Sequence, residues 1–221
     1  MVEAGVGSQL FPGVPSRLLD SGPCRFLPAP ELGEWARSVF LEPGSLLNNP
    51  AHWHLLEAEI LWVWSSEAFR SQGRTVVGTA QRGRQQGSAG KRELLEFVYR
   101  GWHGGELPDF VVTLCAPYCA ECSEGSFCAL VEHELFHCAQ KEGPRGPMFD
   151  RTGRPVFCLR GHDVEEFTGV VERYGAHSVE LRGFRDAMLR GDGKAGSGSG
   201  ERGWPEGLPA ACGCGALLAR S

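Results

Sequence analysis

The stretch Ala129-Leu130-Val131-Glu132-His133-Glu134-Leu135-Phe136-His137-Cys138 decides how the rest of the chain is read. It is apolar almost all round, which predicts a helix buried within a domain rather than laid on its surface. Residues four apart share one helical face, so His133 and His137 can direct two imidazoles at a single point. Two histidines and a carboxylate are costly to bury unless something satisfies them, and a metal ion does so. Glu134 then stands beside that ion, where a carboxylate can accept a proton from water activated there.

A catalytic zinc site requires a third protein ligand and an open fourth position. The continuation in which Gly and a third His follow the second His at fixed offsets is absent; Gln140 and Gly143 occupy that stretch. The remaining candidates cluster in Gly161-His162-Asp163-Val164-Glu165-Glu166-Phe167. His162 is the first choice, because it precedes a predicted helix whose positive N-terminal end disfavours imidazolium. Glu165 and Glu166 are the rivals, since two His and a downstream helical Glu also make a zinc site. Asp163 and Glu166 have the spacing of a capping box, which gives Glu166 a purely structural alternative. Asp163 can also orient a ligand.

The flanking sequence supplies predicted elements. Pro108 to Cys115 (PDFVVTLC) reads as a strand entered through proline, and Thr75 to Thr79 as a shorter one. Leu32, Trp35, Val39 and Phe40 recur at helical spacing, and Asn-Asn-Pro50 signals another helix start. Ile60 to Trp64 is continuously apolar, so periodicity does not separate buried helix from strand. Lys91 to Trp102 reads as a helix or a helix running into a strand, with helix favoured, and Asp163 to Tyr174 is a predicted helix, with one or two further turns over 183–190. Pro155 to Leu159 is a predicted strand, and Cys119 and Cys122 are placed in a loop. The domain boundaries expected are a loose extension over 1–30, a catalytic domain over 31–190 and a Gly/Ser-rich flexible tail over 191–221.

Composition narrows the function classes. A net charge of −5 over 221 residues lacks the basic footprint of nucleic-acid binding. No basic segment with an apolar run opens the chain, and no stretch approaches the roughly 20 apolar residues of a membrane span. A soluble, cytoplasmic protein is the expectation. Nine cysteines, an odd number, suit buried thiols in a reducing compartment better than a disulfide framework. Cys119-x-x-Cys122 and Cys212-x-Cys214 can in principle form a thiolate metal site, though their spacing is unusual; unligated thiols are the simpler reading. His52 and His54 read as helix residues, and His103 as a turn residue.

The blocks PDFVVTL, SFCALVEHELFHCAQ and GRPVFCLRGHDVEEFTGVVERYG occur in order, and together they resemble the phage metallopeptidase family over roughly residues 45–177. The His162-Asp-x-x-Glu-Phe block is also similar to the third-ligand block His-Gly-x-x-Phe of SprT-like proteases. Here Asp163 replaces the Gly and Phe167 falls one place later. The resemblance implies an α+β, zincin-like fold, with a small mixed sheet packed on the His-Glu-x-x-His helix and a second C-terminal helix. It also implies a Zn²⁺-dependent peptidase of a bacterial or phage-infected cell, with peptide or protein substrates. On that reading Glu134 is the general base, and Tyr174 or His177 can stabilise the oxyanion, although Tyr174 equally suits the helix's apolar stripe. The strand Phe110 to Leu114 is where an extended substrate is expected to pair. Two other readings stand beside it: a metal-binding structural or regulatory protein without turnover, and a SprT-like protease acting on DNA-bound proteins. The second wants a basic or zinc-ribbon module, which the acidic balance argues against.

Overall fold

A computed structural model describes residues 11–71, 73–164, 179–190 and 210–212. In chain order its elements are β1 (Phe26–Pro28), α1 (Pro30–Ala36), a π-helical turn (Arg37–Leu41) and a 3₁₀ helix (Pro50–Glu57). Strands β2 (Ile60–Ser65), β3 (Phe69–Ser71) and β4 (Arg74–Arg82) follow, then α2 (Ala89–Trp102) and β5 (Phe110–Cys115). Next come α3 (Ala116–Glu121) and α4 (Glu124–His137). The short strands β6 (Cys138–Gln140), β7 (Glu142–Gly143), β8 (Gly146–Pro147) and β9 (Phe157–Leu159) complete the central part. Helix α5 (Val179–Arg190) and β10 (Ala210–Cys212) come last. This is a mixed α+β fold.

The main sheet runs β1-β2-β5-β4-β10, with β3 pairing β4 as well. Strands β2 and β5 are parallel, Ile60 opposite Phe110 through Ser65 opposite Cys115, whereas β4 runs antiparallel to β5. The ambiguous run Ile60 to Trp64 is strand for a physical reason: it feeds two cores. Leu61 and Val63 pack with Val111 and Tyr99 of α2 on one side. Trp62 and Trp64 pack with Leu32, Phe127, Val131 and Leu135 on the other. Only a period of two sends alternate residues to opposite faces, and a sheet covered on both sides reads as a continuous apolar run. The preceding 3₁₀ helix starts at the predicted Asn-Asn-Pro signal, where the Asn49 side chain accepts the Ala51 amide at 3.0 Å.

Four expectations are corrected. Residues 11–30 are not a loose extension: Leu18 is buried, Phe11 stacks on Phe127 with centroids 4.3 Å apart, and β1 pairs β2. The chain there completes a sheet edge and a core that the central segment alone would leave open. The 191–221 boundary is crossed by β10, which pairs in parallel with Thr75 to Gly78 of β4; the rest of that tail lies outside the described residues. Cys119 and Cys122 belong to and cap a short helix rather than a loop, with Pro117 in its first turn. Strand β5 cannot take a substrate strand, because β2 and β4 flank it on its two sides and use its backbone groups.

Helix α4 begins at Glu124. The Ser123 hydroxyl accepts the Ser126 amide at 3.2 Å as its N-cap. The predicted helix Asp163 to Tyr174 lies outside the described residues from 165 onward.

A candidate metal centre of three histidines

Helix α4 is anchored on its core side by Phe127, Val131 and Leu135, all fully buried. That packing puts His133 and His137 on a different face of the helix, His133 half-buried and His137 buried. Beyond His137 the chain enters β6, which pairs antiparallel with β9, Cys138 opposite Leu159. This register carries the residues after Leu159 back alongside the last turn of α4. The Arg160 amide donates to the His137 carbonyl at 3.0 Å, and His162 arrives beside both helical histidines. Two short strands thus bring a residue 29 positions away onto the helix.

The ring nitrogens converge. His137 Nε2 and His162 Nε2 lie 3.1 Å and 3.2 Å from His133 Nε2. Among the described residues, the group of His, Cys, Asp and Glu side chains able to hold a metal ion is His133, His137 and His162, whose ligand atoms gather within 4.8 Å. Zinc–nitrogen bonds of roughly 2.0–2.1 Å at a tetrahedral angle place neighbouring ligand nitrogens about 3.3 Å apart. The observed 3.1–3.2 Å fits that requirement.

Electrostatics and hydrogen bonding agree. Burial, then the neighbouring His137 and His162, hold His133 down at about 4, so it is neutral at pH 7 with a lone pair to offer. Burial likewise lowers His137. His137 Nδ1 lies 2.6 Å from the Arg160 carbonyl. A carbonyl only accepts, so Nδ1 carries the proton and Nε2 presents its lone pair to the cluster.

Glu134 is fully buried, and burial pushes its carboxyl up to about 8. Space for it comes from across the sheet. A Cβ built on Gly78 of β4 would stand 2.3 Å from Glu134 Oε1 and 2.9 Å from Leu130 Cδ1. Any side chain at position 78 collides with the carboxylate. Gly78 is therefore part of the site, missed in the sequence reading. Its signal was a lone glycine inside the apolar strand Thr75-Val-Val-Gly-Thr, which marks a close approach.

The sequence model of the family described as "Putative phage metallopeptidase" matches residues 33–188, about seven-tenths of the chain. The chain belongs to that family. No curated protein and no solved structure matches it. Membership in a metallopeptidase family and the histidine triad together mark a metal-dependent peptidase, whose substrates are peptides or proteins. Among the described residues of this metallopeptidase, no helix is long and apolar enough to cross a membrane.

Other predicted site residues stand as follows. Glu165, Glu166, Tyr174 and His177 lie outside the described residues, as does Cys214. Asp163 forms an ion pair with Arg160 at 2.5 Å on the exposed rim. His52 is buried, with Nε2 3.6 Å from Glu132 Oε1, and His54 Nε2 lies 2.8 Å from the Cys138 carbonyl. Both tie the 3₁₀ helix to α4 and its continuation. His103 lies just past the end of α2, facing Glu59 at 3.3 Å.

Proposed function

We propose that this chain is a zinc-dependent peptidase of zincin-like fold, in which His133, His137 and His162 hold the metal and Glu134 is the general base. The observation that carries the reading is the convergence of three imidazole nitrogens beside a buried carboxylate that Gly78 makes room for. Zinc bound there supplies Lewis-acid polarisation of a peptide carbonyl and lowers the pKa of water toward about 7. His133 and His137 are held neutral by burial and keep a lone pair for the metal, His137 through its bond to the Arg160 carbonyl. Burial pushes the Glu134 carboxyl up to about 8 in the metal-free chain; a cation held by the histidines beside it would favour the carboxylate, the form that accepts a proton from attacking water and returns it to the departing amine. Gly78 keeps the carboxylate from being displaced.

His162 is preferred over Glu165 and Glu166 because β6–β9 pairing brings it to 3.2 Å from His133. We place the activity in the cytoplasm of a bacterial or phage-infected cell, since nine cysteines suit a reducing compartment.

Substituting Glu134→Gln tests the chemistry. The side chain keeps its shape and loses its basicity, so cleavage of a casein or peptide substrate should fall by roughly 10²–10⁴-fold. Zinc content should stay at the wild-type level. A variant that cleaves as well as wild type removes Glu134 from the mechanism; this also separates turnover from a silent metal-binding role.

A further inference from the structure

Strand β4 is the element against which the buried Glu134 rests, and its two edges are unequal. One edge pairs with β3 from Arg74 to Val76 and with β5 from Gly78 to Arg82. On the other, among the described residues, stands β10: Ala210 opposite Thr75, Ala211 opposite Val76 and Cys212 opposite Gly78. Gly78 is where this edge meets the candidate site. A Cβ there would stand 2.3 Å from Glu134 Oε1, so the carboxylate lies against bare backbone. Neighbouring strands run about 4.7–4.9 Å apart, which puts the backbone of Cys212 one strand spacing from the residue that Glu134 touches.

Strand β10 is built to be displaced. Its three residues fall short of the usual strand of about 5–6. Its pairing is parallel, the slightly weaker arrangement per residue, and its register shifts between Ala211 and Cys212. It ends the strand order of the sheet, and residues 191–209 separate it from α5. Without it, the outer edge of β4 from Thr75 onward would present unpaired backbone groups, the template on which an extended peptide adds as a strand. Strand β5, flanked by β2 and β4, offers no such edge. The β4 edge is therefore the place beside Glu134 where a strand can join the sheet, and a segment of the same chain fills it.

We propose that β10 is a tethered inhibitory strand, which occupies the β4 edge beside Glu134 and must leave before an extended peptide pairs there. The inference rests on the peptidase reading. Because the strand belongs to the same chain, it competes at an effective concentration on the order of millimolar for a flexible tether. Such competition raises KM and leaves kcat unchanged.

The test uses the full zinc-loaded chain and a double variant, Ala210→Pro/Ala211→Pro, which removes two backbone donors without shortening the chain. Consecutive strand residues face opposite sides of the ladder, so at least one lost donor faces β4. On fluorescent casein the variant's KM should fall roughly fivefold or more, with kcat and the unfolding midpoint unchanged. A second readout needs no turnover. A labelled synthetic peptide of residues 206–214, kept reduced, should bind the variant roughly tenfold more tightly than wild type, whose edge is already filled, as read by fluorescence anisotropy. An unchanged KM overturns the inhibitory strand, whatever the peptide does, and leaves the peptidase reading intact. Lower activity with a lowered unfolding midpoint makes β10 a structural strand and overturns the proposal as well. If neither protein cleaves casein, the peptidase reading fails; tighter peptide binding by the variant then still supports β10 as the occupant of the edge, and equal binding overturns it.

Discussion

Two groups of potential metal ligands sit within 15 residues of each other, and they differ in what surrounds them. His133, half-buried, and His137, buried, share a helical stripe that is met by half-buried His162 from a distant segment. Cys119 and Cys122 have the spacing of a thiolate pair, yet Cys119 is fully buried and the two thiols satisfy each other. The hydrogen bond from Cys119 raises the Cys119 thiol far above its ordinary range and lowers Cys122. The Cys122 thiol also donates to the Cys119 carbonyl at 3.5 Å, and among the described residues no third ligand joins the pair. Motif spacing places two donors together; a site also needs a third donor carried in by the fold and an open side.

The largest expected effect that sharpens this contrast is at Gly78. Gly78→Val drives two methyl groups into the Glu134 carboxylate, so cleavage should fall at least 100-fold in a peptide assay. Overpacking should cost about 1–3 kcal/mol in denaturant unfolding. Wild-type activity in that variant would mean the carboxylate does not need the cradle.

A smaller effect concerns pH in the metal-free protein. Glu134 is raised in the folded state, from an ordinary 4.5 to about 8, so the folded chain binds more protons than the unfolded one between those values. Stability must then fall as pH rises through that window. His133, held at about 4, acts in the opposite direction, but only below its ordinary 6.5. Between pH 6.5 and 8 the Glu134 contribution stands clear of it and amounts to about 1–2 kcal/mol. Denaturation of metal-free wild type should show that decline, and Glu134→Gln should lack it. Parallel curves for the two proteins would contradict a buried, neutralised Glu134.

The smallest effect is expected at the thiol pair. Cys122→Ala removes one partner of a half-buried contact, costing about 1 kcal/mol or less. Cleavage rate and zinc content should match wild type. A loss of zinc on this substitution would make the thiols ligands after all.

Part of the candidate site is legible in the sequence, for reasons that are local. His-Glu-x-x-His announces itself because helical periodicity operates within one turn, and β5 because six consecutive residues are buried. What was hidden is long-range. Nothing near Ile60 tells that its alternate residues enter two separate cores, and so its strand identity depends on α2 and α4. The position of β5 between β2 and β4 was equally invisible, which is why it looked available to substrate. His162 was a candidate by residue type alone; the pairing of Cys138 with Leu159 is what delivers it. Gly78 lies 56 residues before the carboxylate it accommodates, and only a lone glycine in an apolar strand hinted at it.

The central claim, that one metal ion is held by His133, His137 and His162, is tested most directly by measuring zinc per chain after purification and dialysis. Elemental analysis should give about one zinc per chain for wild type and for Cys119→Ala/Cys122→Ala. His162→Ala should retain far less, falling toward zero on dialysis against a weak chelator. Full zinc retention by His162→Ala, or its loss from the cysteine variant, would contradict the account.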